Sequence, residues 1–150
     1  MTGSPEFLAA RERAAARVEV LTGRYYVVDG ELLPAASASW HAEGAAVVVD
    51  ADYPGARQDH SGRWFAYVPV AQVTAVVRFT TWARHDGGGR LEVLARDGDT
   101  VRATWFRGDN NDAGETIPAG FIWEKNDDYY YGTVRWDELR DVTVEQTFLR

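Results

Sequence analysis

From Arg24 to the last residues the chain is cut by turn dipeptides into short runs that are β-branched, aromatic or alternating, and no helix-spaced segment separates those runs. A parallel sheet needs a crossover helix between successive strands, so this pattern excludes α/β architectures and leaves a mostly antiparallel sheet of about seven strands. The clearest runs are Tyr25 to Val28, Ala45 to Val49, Trp64 to Pro69, Val73 to Arg84, Arg90 to Arg96, Thr100 to Arg107, Tyr129 to Trp136 and Val142 to Leu149. Asp29-Gly30 and Asp97-Gly98 are hairpin signals, since both turn positions tolerate a left-handed backbone. Asn126-Asp127-Asp128 marks a further hairpin between Phe121 to Lys125 and Tyr129 to Trp136.

The one helical pattern precedes the strands. Ser4 is a capping residue, Pro5 suits the first helical position and Glu6 favours the positive end of the macrodipole. Phe7, Ala10, Ala14, Val18 and Leu21 then recur at spacings of three and four, which predicts a helix over residues 4–21. One helix ahead of antiparallel strands predicts an α+β fold, the N-terminal helix packed on a curved sheet, in the manner of a cystatin-like cone or a partly open barrel. At 150 residues one domain over 1–150 is expected. Hydrophobic residues at 45% and charged residues at 26% are enough to fill one core without predicting disorder.

The absence of cysteine rules out disulfides, thiolate metal sites and cysteine nucleophiles. No apolar run approaches a membrane span, and the first residues lack the basic-then-apolar order of a secretory leader, so a cytoplasmic address is expected.

The net charge of −7 is unevenly placed. Residues 1–108 hold thirteen acids against twelve arginines, whereas residues 109–145 hold ten acids against three bases. Such a field repels phosphate backbones and anionic membranes and attracts a basic protein surface, which excludes nucleic acid as the expected partner. Aromatic residues thicken in the same stretch. Three adjacent tyrosines in a strand cannot all face one core, so at least one of Tyr129, Tyr130 and Tyr131 is expected to project outward, available for a protein surface or for stacking on a sugar.

The leading expectation is therefore a non-enzymatic domain, concretely an immunity-type inhibitor of a basic toxin or nuclease. Its partner would be held by Glu124, Asp127, Asp128, Tyr129, Tyr130, Tyr131, Trp136, Asp137 and Glu138. The alternative is a small enzyme or ligand carrier with an aromatic pocket lined by Trp64, Trp82, Trp105 and Trp123, Phe79 among them, and His60 or His85 as general base. A third reading pairs a bare edge strand at Val142 to Leu149 with a second copy of the chain.

Other chemistry finds little support. His41, His60 and His85 each have an acid nearby in sequence, but neighbours in a strand point to opposite faces. Asp109, Asn111, Asp112 and Glu115 resemble a calcium loop only superficially, because Gly120 stands where the twelfth-position glutamate belongs. Gly87-Gly88-Gly89 lacks the lysine and hydroxyl residue of a phosphate loop. No cofactor or metal is expected.

Overall fold

The helix forms where its capping chemistry is strongest and stops earlier than its periodicity predicts. In the computed structural model, which describes residues 3–37, 39–86, 88–110 and 116–149, α1 spans Pro5–Ala16. The Ser4 hydroxyl accepts the Phe7 N–H at 3.1 Å, satisfying one of the unpaired donors of the first turn. Phe7, Ala10 and Ala14 are buried as the stripe requires, but Val18 is exposed. Past the cap at Arg17 the chain bends away, and the carbonyl of buried Leu21 accepts the Thr81 hydroxyl at 2.6 Å.

The strands are β1 (Gly23–Val28), β2 (Glu31–Pro34), β3 (Ala45–Val48), β4 (Arg57–Gln58), β5 (Trp64–Val68), β6 (Val73–His85), β7 (Arg90–Asp97), β8 (Thr100–Phe106), β9 (Ile122–Glu124), β10 (Tyr129–Arg135) and β11 (Leu139–Phe148). The fold is α+β, with one N-terminal helix and a mostly antiparallel sheet of eight strands that does not close into a barrel. A second sheet, β3-β5-β4, has three strands, one of them inside a stretch that reads as loop from sequence. No helix among the described residues is long and apolar enough to cross a membrane.

By their contacts the residues fall into two compact units: Met1–Arg17, Gly23–Phe79 and Gln146–Arg150 form the first, and Val18–Thr22 and Thr80–Glu145 the second. Strands β6 and β11 contribute to both.

In the first unit β2, β1 and the first half of β6 lie side by side. Tyr26, Val28, Leu33 and Val76 share one core with Ala45, Val47, Val49, Ala66 and Val68 of the small sheet. Tyr25, Leu32, Ala75, Val77 and Phe79 are buried on the other face of β6, while Thr74 and Arg78, on the same face as Val76, are exposed. Val76, buried between them, is what breaks the alternation of Val73 to Phe79 in sequence. Asp29 and Gly30 both take positive φ, 50° and 76°, giving the two-residue turn that joins β1 to β2. In the segment before β3 the Trp40 indole donates to the Tyr26 hydroxyl at 3.0 Å and that hydroxyl donates to the Ser37 carbonyl at 3.2 Å, while Ala35 and Ala36 donate to the Arg24 and Ala46 carbonyls.

In the second unit the latter half of β6 pairs with β7, then β8, β10 and β9 follow in order. One face carries the core: Ala83, Leu91, Val93, Val101, Ala103, Trp105 and Val134, with Val20, Tyr130, Trp136 and Leu139 packed against it. Here alternation is clean, because the opposite face is not covered by an apolar layer of the same kind.

Candidate functional site

The β9–β10 hairpin ends the strand order of the second unit, and its register decides which way each expected contact residue points. Tyr130 pairs with Trp123 and Trp105, on the core face, and its ring lies 4.8 Å from Trp123 and 5.7 Å from Trp105. Tyr129 and Tyr131, one residue either side, project from the other face with Ile122 and Glu124. Of the three tyrosines, Tyr131 is the exposed one, at 42%. Ile122 at 58% and Trp123 at 38% are exposed beside it, so apolar surface is open on both faces of this edge.

The outer face carries a continuous aromatic band. Trp82 lies 6.5 Å from Phe106, Phe106 5.6 Å from Tyr129, and Tyr129 6.3 Å from Tyr131, centroid to centroid. The Tyr129 hydroxyl is pushed above its ordinary range, chiefly by desolvation and further by the negative charges of Asp127 and Glu124.

The nine residues expected to hold a partner separate into two groups. Glu124, Asp127, Asp128, Tyr129, Tyr130 and Tyr131 lie at the turn end of β10, while Trp136, Asp137 and Glu138 follow its far end, about 20 Å away at roughly 3.3 Å per residue. The second group is committed internally. Arg96 stacks on Trp136 at 4.0 Å, and Arg135 pairs with Asp137 at 2.9 Å. Glu138 accepts the Arg135 N–H at 2.8 Å and stands 3.5 Å from the His85 Nε2. In the first group Asp128 pairs with Arg107 at 3.3 Å. Glu124 accepts the Asn126 N–H at 3.2 Å, but neither it nor Asp127 has a cation within ion-pair distance among the described residues, which leaves these two charges unmatched.

The chain matches no protein-family model, no curated protein and no solved structure.

The residues of the expected pocket are divided between the two units. His60 and Trp64 belong to the first unit, and His85, Trp82, Trp105 and Trp123 to the second. Within the second unit Trp82 stands on the outer face, where Arg90 stacks on it at 3.8 Å, whereas Trp105 and Trp123 stand on the core face. The buried indole nitrogens of Trp82 and Trp105 find no hydrogen-bond partner among the described residues, but they lie on opposite sides of the sheet and cannot bind one ligand. Phe79 is buried against Tyr25 in the first unit. Two cavities of the first unit, of about 230 and 200 Å³, are lined by none of these residues.

The histidines are likewise dispersed. His41 and His60 are exposed, His41 meeting the Tyr67 ring edge-on at 5.7 Å. No group of three or more histidine or acidic side chains among the described residues is arranged to hold a metal ion. Asp109 pairs with Arg90 at 3.9 Å, while Asn111, Asp112 and Glu115 lie outside the described residues.

The neighbour of His60 has a structural task. Asp59 accepts the Ser61 hydroxyl at 2.6 Å and the N–H groups of Ser61 and Arg63 at 2.9 and 3.0 Å, closing the turn before β5. These bonds, that from the Ser61 hydroxyl foremost, hold the carboxyl at about 2 against an ordinary 3.8. The folded pKa is depressed, so the turn's contribution is complete above about pH 4 and is lost as pH falls through about 2. A carbon-detected NMR titration of the Asp59 carboxyl is expected to show its midpoint near 2; a midpoint near 4 would mean the turn does not hold the carboxylate in solution.

Proposed function

We propose that the chain is a non-enzymatic protein-binding module that holds a basic partner through the β9–β10 hairpin, and that it acts in the cytoplasm as an immunity-type inhibitor of a basic toxin or nuclease. The observation that carries this reading is the exposure of Ile122, Trp123 and Tyr131 next to Glu124 and Asp127, two acids without an internal cation. Exposed aromatic and aliphatic anchors with a charged rim have the anatomy of a protein interface: the anchors supply buried area, and the charges steer the encounter and select its sign. A cationic cleft can be blocked by such a surface with no chemistry from the blocker.

The reading is tested by affinity capture with the full chain, wild type against Asp127→Lys/Asp128→Lys, eluting with salt. Wild type is expected to retain one basic protein that is released steeply as ionic strength rises, because exposed charges are screened within about 8 Å at 0.15 M. The charge-reversed variant is expected to lose it. Stoichiometric addition of the wild-type chain should then abolish the captured protein's toxic or nuclease activity. Equal capture by both variants, or retention indifferent to salt, would sink the proposal.

A further inference from the structure

Arginine is the cation this chain uses almost exclusively, fifteen against the single Lys125, and its surface repeats one way of seating it. Arg57 stacks on Tyr67 at 5.2 Å and pairs with Glu43 at 3.4 Å. Arg90 stacks on Trp82 at 3.8 Å and pairs with Asp109 at 3.9 Å. Arg107 lies over Trp123 at 5.5 Å and pairs with Asp128 at 3.3 Å. In each case one guanidinium lies over an aromatic face while a carboxylate stands within ion-pair distance, a combination that a planar, weakly hydrated cation satisfies and a compact ammonium satisfies less well.

A fourth set of the same parts stands at the end of the aromatic band. Tyr129 and Tyr131 lie on one face with centroids 6.3 Å apart and planes inclined at 63°. A single cation can therefore sit within about 6 Å of both rings. Glu124 is the cross-strand partner of Tyr129 and projects from the same face, and Asp127 lies in the turn that joins the two strands. Among the described residues no arginine lies over either ring, and Lys125 makes no ion pair with either acid.

We infer that the Tyr129–Tyr131 pair, with Glu124 and Asp127, is the seat for one arginine side chain of the basic protein partner. This rests on the protein-binding reading above and narrows it, from a surface of the right charge to a specific contact. Charge complementarity favours a basic partner over a second copy of this chain, whose own hairpin would bring the same unmatched acids against these.

The probe is acetyl-Gly-Arg-Gly-amide, compared with its lysine and citrulline counterparts and titrated into the full chain while the tyrosine ring signals are followed by NMR. Saturable shifts are expected at Tyr129 and Tyr131 with arginine, weaker ones with lysine and none with citrulline, which keeps the shape of arginine but not its charge. Tyr131→Ala is expected to weaken the arginine peptide about three- to fivefold, and Tyr131→Phe to leave it nearly unchanged. Because Tyr131 is 42% exposed, neither substitution disturbs the core. Unmoved rings, or equal shifts with citrulline, would overturn the inference, as would a concentration-dependent dimer abolished by Tyr131→Ala, since a second copy would then be the occupant. The two proposals fail separately. Capture lost in Asp127→Lys/Asp128→Lys while Tyr131→Ala leaves the affinity for the captured protein unchanged removes the arginine seat and leaves the binding reading standing; capture kept in the charge-reversed variant removes the reading itself.

Discussion

Gly44→Ala is expected to destabilise the protein by about 3 kcal/mol or more. Gly44 is buried with φ at 127°, a region where side chains other than glycine are strained. An added Cβ would stand 2.2 Å from the Val68 carbonyl oxygen and 2.8 Å from its carbon. Those are main-chain atoms of β5, paired at that position with Ala45 of β3, so relief requires prising apart the small sheet that closes the first unit's core. Gly62→Ala is the control: φ is 92°, but the nearest atom is the end of the Gln58 side chain at 3.7 Å. Strain without collision should cost about 1 kcal/mol. Thermal denaturation of both variants is the check, with Gly44→Ala expected to melt roughly 10 °C below wild type. Equal melting temperatures for the two would show that β3 and β5 are not packed as described.

Asn110→Leu is expected to cost roughly 3 kcal/mol, through loss of hydrogen bonds rather than through collision. Asn110 is 4% exposed. Its Oδ1 accepts the Arg90 N–H at 2.5 Å, and its Nδ2 donates to the Arg90 and Phe106 carbonyls at 3.0 and 2.9 Å. The side chain thereby ties the start of β7 to the end of β8, beside the aromatic band. Leucine fills a similar volume but leaves all three main-chain groups without their partner, and each such loss costs about 1–3 kcal/mol. Aspartate does not rescue, since it would retain the acceptor and set a second oxygen against two carbonyls. Urea denaturation measures the loss, and amide exchange at Arg90 localises it. A variant with wild-type stability would mean that water replaces the side chain at little cost.

The two sites differ in how far sequence alone reveals them. Gly44 stands in a segment with no clear pattern, and its demand for glycine comes from Val68, more than twenty residues on. Asn110 sits among polar turn residues and reads there as solvated surface; only the approach of Arg90 and Phe106 makes it a buried strut. The same holds for the candidate surface. That one of three adjacent tyrosines must face outward follows from the two-residue period of a strand. Which carboxylates remain open follows only in part, because Asp137 and Glu138 are taken locally by the Arg135 guanidinium and main-chain N–H, whereas Asp128 is taken by Arg107 only once β8 and β10 pair.

Local rules were sufficient for the features that depend on a few consecutive residues: the Ser4 cap, the Asp29-Gly30 turn, the antiparallel alternation of the second unit, and the absence of crossover helices. Each is set by backbone sterics or by side-chain period, which neighbours in the chain determine among themselves. Tertiary structure decided the rest. Leu21, on the helical stripe, was held instead against Thr81, Val76 was buried between exposed Thr74 and Arg78 because a second sheet packs against it, and Trp82 was set on the face opposite Trp105 and Trp123 by register. In every one of these cases the deciding partner is distant in sequence, so the outcome depends on which strands meet and in what register, a choice made by the chain as a whole.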